Sequence, residues 1–446
     1  MKTIITNSII ITMNSDMEVF PDGYVKIEGT KILETGPSCD LKETTEELRA
    51  AGWQIKDGKR GILMPGMVNT HCHLGMIPFR GLGDDCKDRL RVFLLPMEQK
   101  AMSRRMAALS SRYAICELLL SGVTSVMDMY YFEAAVAQVM DQTGIRGIAG
   151  QTLMDEGGCD ASDADQSLSM AKELIETYRM HPRISGCAAP HATNTCSPQI
   201  LKKAWELDTA NQVPFTLHAA EMDYEMTWLA QTRGCTPVGY LDQLGVLSNQ
   251  TAAAHCIHLT DRDIEILRQR GSGVCHCIGS NAKAAKGVAP LLKLLKEGVS
   301  VGLGTDGPAS GNTLDLFTQM RLCAGFQKNN SHDRSAMPAK DIVSMATRQG
   351  ARVLGLEEKT GSIEPGKEAD LVLVETDSPN MFPVYDPYSA LVYSANASNV
   401  RDVYVAGTCL VQDKKLVYED FESIRRELSD CMGRSAFGEM QELHRL

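Results

Sequence analysis

The chain lacks a Cys-x-x-Cys pair, an apolar run long enough to cross a bilayer, and any repeat or low-complexity segment. Each absence narrows the reading. A spanning helix takes about 20 consecutive apolar residues, and no stretch approaches that. The N-terminal run Met1–Thr12 is interrupted by Thr6, Asn7 and Ser8, and no small-residue cleavage site follows, so it reads as a strand rather than a signal peptide. Positive charge is also short. The 45 Lys and Arg against 56 Asp and Glu leave a net −11, which repels nucleic-acid phosphates and disfavours an anionic membrane surface. The 14 cysteines are scattered, and Cys187, Cys256, Cys275 and Cys277 fall in apolar strand-like runs. Buried reduced thiols of a cytoplasmic protein explain them better than disulfides. The cluster Cys275-His276-Cys277 has the wrong spacing for a zinc knuckle.

The composition that remains is 43% hydrophobic and 23% charged over 446 residues, which suits one large domain plus an accessory one. Short apolar runs recur at Ile62–Asn69, Thr124–Met129, Arg146–Leu153, Ile184–His191, Pro214–His218, Thr251–His255, Gly273–Cys277 and Val299–Asp306. Helix-like segments separate most of them, at Glu98–Leu120, Ser167–Met180, Pro198–Asn211, Asp261–Gln269 and Pro290–Glu297, with Ser197-Pro198 and Thr260-Asp261 as start signals. This alternation predicts an α/β chain built on a parallel (β/α)₈ TIM barrel over residues 61–361. A doubly wound open sheet is the structural rival. It fits less well, because polar residues end strands across the whole series and a barrel gathers such ends on one face. The flanks, 1–60 and 362–415, carry short β-like stretches and turn signals and are expected to pair into one small β-sandwich; 416–446 reads as a C-terminal helix and tail.

The chemistry lies at the strand ends. Val68-Asn-Thr-His71-Cys-His73 ends one segment on two histidines; residues i and i+2 of a strand face the same way, so both converge while Cys72 points away. Pro214-Phe-Thr-Leu-His218 and Val299–Asp306 end two more on a histidine and an aspartate. Buried polar groups in that number need a partner, and one metal serves all four. Three imidazoles and a carboxylate suit Zn²⁺, with Fe²⁺ as the substitute. Ile184–His191 contains no lysine, which leaves no bridge for a second metal. Glu221 lies just past His218, where a carboxylate can shuttle protons for hydrolysis; its plainer reading is a solvated loop glutamate. His255 ends Thr251-Ala-Ala-Ala-His255 and can face the same cavity. His258 reads as structural, and His276 is left between lining the pocket and supporting it from behind.

These stretches resemble the amidohydrolase superfamily over nearly the whole chain, and within it the branch of S-adenosylhomocysteine/5′-methylthioadenosine deaminases and related triazine hydrolases. The resemblance rests on Met64-Pro-Gly-Met-Val-Asn-Thr-His71-Cys-His73-Leu, His218-Ala-Ala-Glu221, Ala254-His255-Cys-Ile-His-Leu-Thr, Gly304-Thr-Asp306-Gly-Pro-Ala-Ser and Gly366-Lys-Glu-Ala-Asp370-Leu-Val. It implies metal ligation by His71, His73, His218 and Asp306, with catalysis by Glu221, His255 and Asp306. It also implies substrate contacts from Glu98 in Leu95-Pro-Met-Glu98 (ribose hydroxyls), His191 in Ala189-Pro-His191 (the purine ring), Glu221 and His255. Adenosine-type members read Pro-His-x-Pro-Tyr-Thr-Cys-Ser where this chain reads Pro190-His-Ala-Thr-Asn194-Thr-Cys-Ser. Two further departures lie near the expected pocket. Cys275-His-Cys-Ile-Gly-Ser-Asn281 lacks the family's proline, and Ala284-Ala285 replaces a bulkier pair.

The expected activity is a metal-dependent hydrolytic deaminase releasing ammonia from an adenosine-type nucleoside, with one Zn²⁺ per subunit. Guanine-, pterin- and triazine-type substrates are the alternatives. A non-catalytic metal-binding barrel is the rival of another class; it would be free to lose Glu221 and His255. The resemblance further implies a homodimer or homotetramer.

Overall fold

Eight parallel strands run through the middle of the chain in the computed structural model, which describes residues 2–437. They are β1 (Met67–Cys72), β2 (Val123–Tyr130), β3 (Arg146–Leu153), β4 (Ile184–Pro190), β5 (Phe215–Ala219), β6 (Thr251–His255), β7 (Gly273–His276) and β8 (Val301–Leu303). Every residue of β1, β2, β3, β5 and β6 is buried. Strands covered on both faces read as continuous apolar runs, which is how the sequence displays them. They form two four-stranded sheets, β1-β2-β3-β4 and β5-β6-β7-β8. The sheets touch at both seams. Ala192, just past β4, bridges to His218 of β5, and beyond β8 the Asp306 N–H donates to the His71 carbonyl at 3.0 Å. A Cβ on Gly304 would stand 2.9 Å from Cys277 Sγ and 3.0 Å from the His71 carbonyl oxygen, so glycine is required for that second seam to close.

Helices fill the connections, including Arg104–Leu120, Ala164–Tyr178, Pro198–Asn211 and Asp261–Arg270. Several bounds differ from the sequence expectation for local reasons. The helix expected at Glu98–Leu120 is two, Leu95–Ala101 and Arg104–Leu120, because Ser103 adopts an extended conformation and its side chain caps the Met106 N–H. The helix expected from Ser167 starts at Ala164, where Asp163 caps the Gln166 N–H. The apolar run Ile62–Asn69 also divides: Ile62–Pro65 leaves for a different sheet, and Gly66, whose N–H donates to the Asp370 carbonyl, marks the break before β1.

That other sheet has nine strands drawn from both flanks. In order, Lys415–Leu416, Thr408–Gln412, Val400–Val405, Leu371–Val374, Ile62–Pro65, Lys2–Ile11, Val19–Glu28 and Lys31–Pro37 are neighbours, and Gln54–Asp57 pairs with Lys2–Ile11. The N- and C-terminal portions join where Ile62–Pro65 runs antiparallel to Leu371–Val374. A helix, Phe421–Gly433, follows; the remainder of the expected tail, 438–446, lies outside the described residues. All 14 cysteines are unpaired, and Cys187, Cys256, Cys275 and Cys277 are buried as expected. No helix among the described residues is long and apolar enough to cross a membrane.

A buried ion pair ties the two parts together. Arg146, the first residue of β3, donates to Asp370 through Nε (2.7 Å) and Nη2 (3.1 Å), and Asp370 also accepts the Ala406 N–H at 2.7 Å. Removing one member of such a pair strands the other charge at a cost of about 3–5 kcal/mol. Arg146→Met is therefore expected to lower the urea midpoint by that equivalent. The folded fraction should keep its activity, because Arg146 sits at the strand end opposite the site described next.

Candidate active site

The C-terminal ends of the parallel strands bring His71, His73, His218, His255 and Asp306 together. His71 lies within β1 and His73 one residue beyond it; their rings meet edge to face with centroids 4.8 Å apart. His71 Nε2 faces His218 Nε2 at 3.1 Å, and His73 Nε2 faces Asp306 Oδ1 at 3.2 Å. Backbone carbonyls set the tautomers. His218 Nδ1–H donates to the His191 carbonyl at 2.7 Å, and His73 Nδ1–H donates to the Met129 carbonyl. Both direct Nε2 inward, where the neutral ring offers a lone pair. Asp306 is three residues past β8, not on it as expected, and takes a left-handed φ of 58°. Asn69 anchors this turn: its amide donates to Thr305 Oγ1 at 2.8 Å and its carbonyl accepts the Thr305 N–H at 3.1 Å.

These groups fit a divalent cation. Burial, reinforced by neighbouring imidazoles, pushes His71 and His218 well below the usual imidazole range, so both are neutral donors. Burial also opposes a charge on His73, but Asp306 outweighs it and takes His73 up to about 9. The 3.2 Å contact of His73 Nε2 with the Asp306 carboxylate thus favours a positive charge at this point, supplied by a proton or by a bound cation. Ligand atoms of the three imidazoles lie within 4.8 Å of one another, and Asp306 adjoins the set through His73. Tetrahedral bonds of ~2.0–2.1 Å space ligands by roughly 3.3 Å, close to the two shortest separations here.

Glu221 and His255 stand on one side of this cluster. His255 Nδ1–H donates to Asn281 Oδ1 at 2.9 Å, leaving Nε2 3.6 Å from Glu221 Oε1 and 4.0 Å from Asp306 Oδ2. Burial pushes the Glu221 carboxyl up, yet His255 and Lys286 outweigh it and hold Glu221 well below the usual carboxylate range. Lys286 Nζ donates to Glu221 Oε1 at 2.5 Å. Ala220, His255, Cys256 and Asp306 all have positive φ. Left-handed non-glycine residues gathered at one set of strand ends mark strain held in place by surrounding packing, as functional sites often do.

A cavity of 430 Å³ opens over the cluster, with His73, Glu98, Tyr130, His191, Glu221 and Lys286 among its walls. Glu98 is buried and accepts the Tyr130 hydroxyl proton at 2.6 Å; burial raises its carboxyl to about 7 against that bond. His191 pairs with Thr195 Oγ1 at 3.0 Å and is taken down to about 4, mainly by burial. His276 is buried with neither ring nitrogen bonded and does not line the cavity. His258 faces Asp223 at 3.4 Å on the exterior. Reasoning from sequence missed Lys286, Asn281, Tyr130 and the Asn69–Thr305 clamp. Asn69 and Asn281 were inside quoted motifs, whereas nothing local distinguishes Lys286 from a surface lysine.

Fold and site together define a metal-dependent hydrolase. The amidohydrolase family model matches residues 62–410, and the chain belongs to that family. It is 37% identical over 417 residues to a 5-methylthioadenosine/S-adenosylhomocysteine deaminase of Thermodesulfovibrio yellowstonii, covering 93% of this chain and 94% of that protein. A 5′-deoxyadenosine deaminase of Methanothermobacter thermautotrophicus is 37% identical over 413 residues, covering 92% and 94%. An adenosine deaminase from Xanthomonas campestris, solved with bound zinc, superposes with a TM-score of 0.92 at 30% identity, covering 97% of this chain and 98% of that one.

Asn69→Ala leaves the Thr305 N–H without its buried acceptor, while the Thr305 hydroxyl keeps its bond to the Asp306 carbonyl, a loss of about 1–3 kcal/mol in the turn that carries Asp306. The expected result is at least a tenfold weaker hold on metal, read by competition with a chromogenic chelator, while His276→Ala leaves it within a fewfold.

Proposed function

We propose that this chain is a hydrolytic deaminase of adenosine-type nucleosides, the class that includes 5′-methylthioadenosine, S-adenosylhomocysteine and 5′-deoxyadenosine. The observation that carries the reading is Glu221 and His255 converging over the three-imidazole cluster inside one cavity. In this reading His71, His73, His218 and Asp306 hold one Zn²⁺, with Fe²⁺ as the substitute. The cation's contribution when bound is to make water a nucleophile near neutral pH. Glu221 takes a proton from the attacking water and delivers it to the ring nitrogen beside the amine-bearing carbon. His255 Nε2 polarises the attacking oxygen, and Asp306 assists as base. Water thus adds across the ring C=N bond, and ammonia departs as the adduct collapses. Glu98, presented with Tyr130, binds ribose hydroxyls, and His191 contacts the purine ring.

The architecture belongs to the same proposal. The paired seams support closure of the two parallel sheets into one (β/α)₈ barrel within 61–361. Burial of Ile5, Val25, Leu63, Leu371 and Tyr404 in a common cluster supports a small sandwich from 1–60 and 362–415, with Ile62–Pro65 contributed from across the first boundary. Unpaired thiols support a reducing, cytoplasmic setting. Exposed Phe382 and Tyr385 offer surface for a homodimer or homotetramer.

Two variants test the assignment. Glu221→Gln is expected to keep its metal and lose turnover by about 10²–10⁴-fold in an ammonia-release assay; near-normal turnover in the metal-loaded variant would refute the role. Glu98→Ala is expected to raise KM for nucleosides at least tenfold while sparing free aminopurines. A panel in which guanine, pterins or triazines outpace every nucleoside would reassign the substrate.

A further inference from the structure

Lys286 has no part in the scheme above, yet its ammonium is the nearest charge to Glu221, at 2.5 Å from Oε1. Its side chain is 15% exposed and forms part of the cavity wall. The turn that carries it is tightly specified. Ala285 adopts a left-handed φ of 52°, and the Lys286 N–H closes onto the Asn281 carbonyl at 2.9 Å. The side chain of the same Asn281 fixes His255. One short segment therefore aims two groups, Lys286 and His255, at the same oxygen of one carboxylate, Glu221 Oε1. The other acidic neighbour, Glu225, is turned away: it accepts the Glu221 N–H at 3.0 Å and the Thr193 hydroxyl at 2.5 Å.

We propose that Lys286 is a positioning residue acting through Glu221, pinning its carboxylate over the reacting atoms and driving the carried proton onward to the ring nitrogen. The inference rests on the deaminase reading. In the cycle, an O–H bond of water breaks as an O–H bond forms on the Glu221 carboxylate; the carboxyl O–H bond then breaks as an N–H bond forms on the substrate. Lys286 remains an ammonium throughout. A cation in contact with Glu221 favours the carboxylate over the acid, so the second transfer gains. That gain matters most when the ring nitrogen is a poor base. The structure thus suits amino-heterocycles whose ring nitrogen binds a proton weakly, and a substituent that makes it weaker still should increase dependence on Lys286.

The test uses the full-length, metal-loaded enzyme, with metal content and circular dichroism matched among variants. Lys286→Met is expected to lower kcat by about 10–100-fold with KM changed less than threefold, and Lys286→Arg to recover most of the loss. Adding Lys286→Met to Glu221→Gln should change the residual rate by no more than about twofold, because the two act as one unit. The kcat penalty of Lys286→Met should grow from adenosine to 2-fluoroadenosine, whose ring nitrogen is less basic. An equal penalty in the Glu221→Gln background, or the same penalty for both nucleosides, would overturn the role while leaving the deaminase assignment intact. If no aminated heterocycle is turned over by the wild-type enzyme, both proposals fall.

Discussion

Two imidazole nitrogens face each other at 3.1 Å, and a carboxylate oxygen stands 3.2 Å from a third, so four buried polar groups converge on one point. A divalent cation can serve them all. Much of the surrounding structure can be understood as the means of holding those donors in place. The carbonyls of His191 and Met129 fix two tautomers, the Asn69–Thr305 pair fixes the turn of Asp306, and Asn281 fixes His255. Left-handed backbone at Ala220, His255 and Asp306 carries the chain away from the strands at the points where side chains must turn inward. Such conformations persist because the seams between the two sheets over-determine them.

The same enclosure sorts the carboxyl groups into different chemical characters. Glu98 and Glu225 are each raised to about 7, with burial as the main cause. Glu221 is buried too, but His255 and the Lys286 ammonium face it and hold it well below the usual carboxylate range. Glu98 and Glu221 thus line one cavity with carboxyls shifted in opposite directions, a separation that acid–base chemistry can use. The distribution is a matter of neighbours rather than depth, since His255 and Lys286 at Glu221 Oε1 outweigh the burial that raises the other two.

Much of the site was legible in the sequence because its residues sit at the ends of recognisable apolar runs. His71, His73, His218 and His255 meet as the strand pattern implies. Asp306 was found for a partly mistaken reason: β8 stops at Leu303, and a hydrogen-bonded turn, not the strand, delivers the carboxylate. The helix divided at Ser103 and the strand divided at Gly66 were misread because an apolar pattern continues across each break, while the cap at one and the Asp370 contact at the other do not show in local composition. Lys286 was invisible for a different reason. Its meaning depends on a left-handed alanine and on a glutamate 65 positions away.

This contrast separates what the metal half of the site requires from what the substrate half requires. Coordination needs a few residue types at fixed strand positions, so the requirement is written in short motifs. The cavity walls beyond the metal-facing groups come from connecting segments: Glu98 from a short helix, His191 from the turn after β4, Lys286 from the turn after Ile278–Lys283. Loops carried on a rigid scaffold can change without disturbing the strands. The departures at Thr193, Asn194, Ala284 and Ala285 lie in just those segments, beside Glu225 and Lys286. Small side chains at 284 and 285 leave room along the cavity wall, and the Thr193 hydroxyl donates to Glu225, whose other oxygen accepts the Glu221 N–H. The departures therefore border the segments that carry Glu221 and Lys286, where the strand positions of the metal-facing groups impose no requirement of their own.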